Sequence, residues 1–532
     1  HLALCAIPHR GGMSSEGVGD GAGVSIDLSV EFFRALTGLP LEARRFGVGN
    51  FFLPDDPVQH GPAHELVNET FAAQGLDVVL VRDVPVNHAV TRPAAAQYQL
   101  PIVQWVFTAG EMTPVEADHA ANRALLAIER EAYSRRELRG LYPLSVSTRT
   151  QVLKGRLNAN EVIPFFTDLL DERHSVRTLY FHTRFSTNTE PHPSMAQPFR
   201  LMAHNGELNT DRKNRLSDEA LAQASNHSIV RPPGQSDSSR LDQTLQSRVF
   251  DDDLDIVEAV VTLMPPAWEN DAMLSQPVRD MLEYFSLYEE KNDGPAALIF
   301  HDGDVVGARL DRLGLRPLRT VETNDYLMVS SEAGQLHVAD DDVTHRGRIE
   351  AGGMLSLDHR TGKIRRTKDI LEELSSRRDY GALLGEARVH IDQLAVEGTR
   401  GTTTLGYGGD LSLAGRYVAY SLNQESFRFM MDPMLAAGAE RISAMGYGNA
   451  INALSDQEGG LAKYFSQRFA QVTNPPLDSI RESDSMTFRV ALGAKPDGTG
   501  RPTKQIVVDS PILGQLEMLR LREQTVTPLE RF

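Results

Sequence analysis

The stretch Ala296–Leu310 narrows the possible folds more than any other part of the chain. It reads Ala-Ala-Leu-Ile-Phe, then His-Asp-Gly-Asp, then Val-Val-Gly-Ala-Arg-Leu. Two apolar runs of strand length flank an Asp-Gly pair whose glycine tolerates a positive φ, so the pattern predicts a β-hairpin. A second strand pair is predicted at Leu318–Val321 and Tyr326–Val329, across Glu322–Asp325. Earlier runs at Phe46–Pro54 and Val78–Val81, bounded by glycine and proline, also read as strands. Helical spacing appears in Met112–Leu138, where apolar residues recur among Glu and Arg, and around 252–264 and 276–288. Antiparallel hairpins with helices outside them imply an α+β class and a layered αββα arrangement.

A length of 532 residues exceeds one ordinary domain. A charged region, Lys363–Arg378, and a glycine-rich stretch, Gly398–Gly415, mark a boundary. After it helical patterns dominate at 422–439 and 459–470, before a rigid turn at Asn474-Pro-Pro476. The expected division is a first domain over 1–385, a linker over 386–420, and the start of an α/β second domain over 421–532. The single cysteine, Cys5, excludes an internal disulfide framework, a thiolate zinc site and an iron–sulfur cluster, each of which needs several sulfurs. With 72 acidic against 54 basic side chains, the net charge of −18 opposes phosphate backbones and argues against nucleic-acid binding. No window offers the roughly 20 apolar residues of a membrane-spanning helix, and His1-Leu-Ala-Leu4 carries no signal peptide. A cytoplasmic location is expected, or the plastid stroma if the source is a plant or alga.

Two polar loops follow two apolar runs, and each offers a group that amide chemistry on an amino acid requires. After Arg177–His182 comes Arg184, whose planar guanidinium suits an α-carboxylate. After Phe199–Ala203 come Asn205 and Gly206, an amide and a backbone N–H for a tetrahedral oxyanion. Asp237, within Ser236-Asp-Ser238, offers a carboxylate to an α-ammonium group. Each loop also has a structural reading, because Asn-Gly is a common hairpin turn and Ser-Asp-Ser suits a helix cap. Jointly they form a clamp without a nucleophile. The run His9-Arg10-Gly-Gly12 with Gly17–Gly23 is read as a tight turn rather than a phosphate cradle, lacking the Lys-Ser/Thr of a P-loop. His182, His192 and His204 do not show the spacing of a helical metal pair, so hydrogen-bonding or core roles fit them better. Met430, Met431 and Met434 read as packing.

In order and spacing, His9–Gly12, Gly19–Gly23, Arg184-Phe-Ser-Thr-Asn-Thr189, Ala203-His-Asn-Gly-Glu207 and Ser236–Ser238 resemble the class II glutamine amidotransferase domain of glutamate synthase large subunits. Further matching runs are Asp293–Ala297, Leu310–Pro317, Ser330–Gly334, Arg346–Arg348 and Phe469–Asp478. The last lies in that family's central domain. The resemblance implies a four-layer αββα sandwich of the N-terminal-nucleophile type. It also implies hydrolysis of L-glutamine and passage of ammonia to a flavin-containing synthase domain, in cis or trans, that aminates 2-oxoglutarate. Carried over by motif, Arg184 binds the glutamine carboxylate, Asp237 its ammonium group, and Asn205 and Gly206 form the oxyanion hole. Arg10 supports the nucleophile's pocket, while Thr187 and His204 line or orient the site. No cofactor is expected in this segment; FMN and an iron–sulfur cluster are implied for the synthase half, with ferredoxin or a donor subunit as electron source and an oligomeric assembly.

Two departures stand out. The family's nucleophile is an N-terminal cysteine whose own α-amine, with a reference pKa of about 7.7–8.0, serves as base, and it opens a strand well ahead of the His-Arg-Gly motif. Here Cys5 falls where the family has a helix, so it is read as a buried core thiol, and the chain is read as lacking the first strand and its cysteine. The competing reading is a non-catalytic scaffold or regulatory subunit. The second departure is Met445-Gly-Tyr-Gly-Asn449, where the family carries Met-Gly-Asp-Asp.

Overall fold

The structure, a computed structural model, describes residues 1–184, 192–208, 212–224, 229, 235–396, 412–439, 441, 486–493 and 504–527. Its first element is a single helical turn, α1 (Leu2–Cys5). Strand β1 (Ala22–Asp27) leads to α2 (Val30–Thr37), β2 (Phe46–Phe52), α3 (His60–Ala73), β3 (Asp77–Asp83), β4 (Ile102–Thr108) and α4 (Pro114–Ser134). Next come β5 (Tyr142–Ser147), β6 (Thr150–Gly155), α5 (Val162–Phe165), β7 (Leu179–His182) and β8 (Met202–Gly206). Helix α4 starts where the chemistry dictates: Thr113 caps it in a reciprocal capping box with Glu116, and Pro114 occupies its first turn.

Strands β3-β4-β2-β5 form one antiparallel sheet and β6-β1-β7 another. Alternation along β2 sorts its side chains to two faces. Phe51 packs with Phe71 of α3 and Leu125 and Ile128 of α4, whereas Phe52 joins Val24 of β1 and Val152 of β6. One face of the first sheet therefore lies under helices and the other meets the second sheet.

The chain continues through α6 (Arg212–Ala224), α7 (Asp237–Phe250), α8 (Ile256–Leu263) and α9 (Gln276–Tyr288) to the hairpin β9 (Ala296–His301) and β10 (Val305–Leu310). Asp302 closes that hairpin by accepting hydrogen bonds from the backbone of Asp304 and Val305 at 3.0 and 2.8 Å. Strands β11 (Arg319–Thr323), β12 (Leu327–Ser330), β13 (Val343–Arg348), β14 (Met354–Asp358) and β15 (Lys363–Arg366) complete two further sheets, ordered β15-β14-β10-β9-β8 and β12-β11-β13. Ala296, Leu298 and Phe300 of β9 face the helical layer of α7, α8 and α9. Ala297 and Ile299 face Leu318 and Val329. Sheets inside and helices outside make the α+β sandwich that the hairpin and helix patterns predict.

A buried ion network ties the layers together. Asp118 of α4 accepts from Arg44 and Arg149 at 2.8 and 2.9 Å, and the same arginines reach Asp304 and Asp302 at the β9–β10 turn, at 2.6 and 3.1 Å.

Four expectations need correction. Cys5 is exposed, not buried: the single turn of α1 points Leu4 inward, at 1% exposure, and leaves its neighbour outside. Strand β8 begins at Met202 rather than Phe199, because Phe199 N donates to the carbonyl of Met202 and turns the chain before the strand starts. The expected linker 386–420 is in part a strand: β16 (Arg388–His390) pairs in parallel with Gln505–Val508, which pairs antiparallel with Val490–Leu492. Three residues with one apolar side chain leave no periodic trace, and their partner lies far along the chain. Met430 is exposed at 57% rather than packed. The expected elements at 459–470 and 474–476 and the run 445–449 lie outside the described residues. No helix among the described residues is long and apolar enough to cross a membrane.

Candidate active site

Strands β7 and β8 end side by side, and the polar residues that follow their apolar runs open into one cavity of about 960 Å³. Its wall includes Arg10, Arg184, His204, Asn205 and Arg316, over an apolar floor with Ala297 and Ile299. Asn205 stands opposite Ala297 in the β8–β9 register. It therefore shares the cavity face of the sheet, half-buried.

Gly206 follows with φ +140°, and a Cβ there would lie 1.8 Å from the carbonyl oxygen of Pro295. Only glycine fits this close approach of two backbones. Asn205-Gly206 is thus the end of a strand and not the turn of a hairpin.

Arg184 is exposed at the cavity wall. Its backbone N–H donates to Nδ1 of His182 at 3.3 Å, which fixes the chain as it leaves β7. His204 is 4% exposed; its Nε2 pairs with Oγ of Ser238, and burial pushes the imidazole down to about 3. Burial likewise pushes His182 down to about 4. Both rings are neutral near pH 7, which suits hydrogen-bonding parts and not proton shuttles.

Arg10 is held by Glu332, at 2.8 Å from Nε and 2.6 Å from Nη2, and His9 reaches the other carboxylate oxygen at 2.7 Å. The Arg10 hydrogen bond, with His9 adding, holds Glu332 below the usual carboxylate range. Asp237 occupies the first turn of α7, where Ser236 caps the helix by accepting from Ser239 N at 3.1 Å. The helix-cap reading of Ser-Asp-Ser is correct, and Asp237 lies 3.6 Å from Arg215 rather than on the cavity wall. Its neighbour Ser238 nevertheless binds His204, so the start of α7 abuts the back of β8. Thr187 lies outside the described residues. Cys5 does not line the cavity; its Sγ is 3.4 Å from Nε2 of His1.

Sequence reasoning missed Glu332 and Arg316, although both stand in runs that carry the resemblance. Asp311 accepts from the backbone N–H groups of Leu313, Leu315 and Arg316 at 3.1, 3.0 and 3.2 Å, which locks the loop that presents Arg316. The arrangement supplies guanidinium forks for a carboxylate and a side-chain amide for a developing oxyanion.

Compared with known proteins, the family described as Glutamine amidotransferases class-II matches residues 1–383, and the Glutamate synthase central domain matches residues 415–531. The chloroplastic ferredoxin-dependent glutamate synthase of Oryza sativa subsp. japonica is 32% identical over 549 residues, covering 97% of this chain and 33% of its own length. The glutamate synthase NADPH large chain of Bacillus subtilis (strain 168) is 32% identical over 540 residues, covering 98% and 35%. The chain spans about a third of the length of these curated relatives.

Proposed function

We propose, from the premise that this chain belongs to the class-II glutamine amidotransferases, that its cavity binds L-glutamine and forms the glutaminase site of a glutamate synthase. The observation that carries this reading is the meeting of Arg184 and Asn205 at one cavity from the ends of two strands, with Gly206 next along β8. Arg184 grips the α-carboxylate as a bidentate fork, while Asp237, paired with Arg215 off the cavity wall, takes no part in this reading. The side-chain carbonyl then lies toward Asn205. When the N-terminal cysteine that the family resemblance implies, its thiol proton taken by its own α-amine, adds to that carbonyl carbon, the π electrons move to oxygen, and the Asn205 amide with the Gly206 N–H stabilises the charge formed. Collapse, with that proton passed to the nitrogen, expels ammonia, and water then releases glutamate from the thioester and regenerates the thiol.

Ammonia then serves a synthase site that aminates 2-oxoglutarate, using electrons from ferredoxin or a reduced nicotinamide. One cysteine cannot ligate an iron–sulfur cluster, so the cluster that resemblance implies finds no ligand set in this chain. No step here runs through it or through the flavin. The test is ammonia release from glutamine by the intact gene product, with 2-oxoglutarate and a reductant present. Release is expected, and its absence refutes the proposal.

A further inference from the structure

Lys154 is a buried amine that the proposed chemistry does not use. It stands on β6 at 1% exposure, and its Nζ donates to the carbonyls of Ser194 and Ala196 at 2.9 and 2.8 Å. The rings of Tyr142 and Phe199 enclose it, at 5.4 and 5.1 Å. Two buried carbonyls without donors would each lose a hydrogen bond, and Lys154 serves both at once.

The segment so held carries Gln197, whose side chain takes the place of a neighbouring strand along the open edge of β8. Its Oε1 accepts from His204 N at 2.7 Å, and its Nε2 donates to the His204 carbonyl at 3.2 Å. Among the described residues, strand β8 pairs with β9 alone, on its other side. Further along, Asp242 of α7 accepts from the backbone N–H groups of Arg200, Leu201 and Met202 at 3.2, 2.9 and 3.2 Å. The segment 194–202 is thus anchored at its first carbonyls by Lys154 and at its last amides by Asp242. Between these anchors, Gln197 brackets the residue next to Asn205.

We infer that Lys154 and Gln197 are positioning residues for the oxyanion arm: the lysine docks the segment 194–197, and the glutamine transmits that placement through the His204 backbone to Asn205 and Gly206. This rests on the glutaminase reading of the site. A carboxylate grip at Arg184 stands on a different strand end, so loss of the relay acts on turnover and not on substrate affinity.

The experiment compares Lys154→Met, Gln197→Met and Asn205→Ala in the intact gene product. Lys154→Met keeps the chain's length and apolar fill and removes both donors. In both relay variants kcat for ammonia release falls roughly 10- to 100-fold, as for a misplaced catalytic group, while KM for glutamine changes less than about twofold. Amide hydrogen exchange at His204 and Asn205 quickens about tenfold or more, while amides of β10 keep their wild-type rates. If Lys154→Met does not fold, Gln197→Met, which retains the lysine, decides alone.

The inference is overturned if Asn205→Ala lowers kcat while the relay variants leave both kcat and local exchange unchanged. It is overturned as well if exchange rises equally in β10, which marks general loosening. If Asn205→Ala itself leaves kcat unchanged, the glutaminase reading falls and the relay falls with it.

Discussion

Arg184 and Gly206 are held to their places by different physics, and substitution separates them. Arg184 is exposed and contributes charge and shape. Arg184→Lys retains the charge but replaces a planar fork by a point donor, so KM for glutamine rises about tenfold, one hydrogen bond's worth of affinity, with kcat little changed. Steady-state ammonia release checks this, and an unchanged KM removes Arg184 from the carboxylate role. Gly206→Ala meets backbone instead: the new Cβ would lie 1.8 Å from the Pro295 carbonyl, at a φ of +140° that side chains avoid. The variant loses about 2 kcal/mol or more of stability, read as a lower urea midpoint.

Both residues are legible in the sequence because each stands in a polar stretch that follows an apolar run. Glu332 is not legible as a partner of Arg10, since 322 positions separate them and nothing local in either run marks the pairing. Gln197 and Lys154 fail for the same reason: their meaning lies in which carbonyls they face, and an isolated Lys in a strand or Gln before proline carries no such address.

At the scale of elements, regular patterns are readable and their junctions are not. The β9–β10 hairpin and the β11–β12 pair follow from apolar runs flanking the Asp-Gly pair and the polar stretch Glu322–Asp325. What joins α4 to that hairpin is the network in which Arg149 meets Asp118 and Asp302, and Arg44 meets Asp118 and Asp304. Asp118 has a side-chain exposure of 4%, so neutralising it leaves two guanidinium groups without their shared carboxylate. Breaking a buried pair from one side typically costs about 3–5 kcal/mol. Asp118→Asn is therefore expected to lower the urea midpoint by that equivalent while leaving the denaturant slope unchanged. A loss under about 1 kcal/mol would place the network among surface pairs of little consequence. The short strand β16 shows the opposite limit. Its register with Gln505–Val508 is parallel and long-range, and such pairing depends on a partner that periodicity within three residues does not reveal.

Across the whole molecule, the histidines make folding sensitive to acid. Burial pushes His301, His182 and His204 down to about 4, 4 and 3, and lowers His174 as well. In the unfolded chain each takes up its proton near the ordinary value of about 6.5. Between that pH and about 4 the unfolded state holds more protons at these four sites, so their contribution to stability is present above pH 6.5 and is lost as pH falls through the window. Asp242 and Asp302 act in the other direction, since burial raises both: the folded state keeps their protons to higher pH and gains stability from them on acidification. Near pH 6 the unfolded aspartates, with reference values of about 3.9, are already ionised, while the unfolded histidines are taking up protons. With His64, His192 and His359 also lowered by burial, seven histidines work one way against two aspartates the other and predict a net fall. The urea midpoint is therefore expected to decline from pH 6.5 to 5. An NMR titration provides the site-level check, with the Cε1 shifts of His182 and His204 flat down to pH 5. A midpoint unchanged between pH 7 and pH 5, or an imidazole step near 6.5 at His204, would show that these rings are hydrated in the folded chain. The wall behind Asn205 would then be open to water.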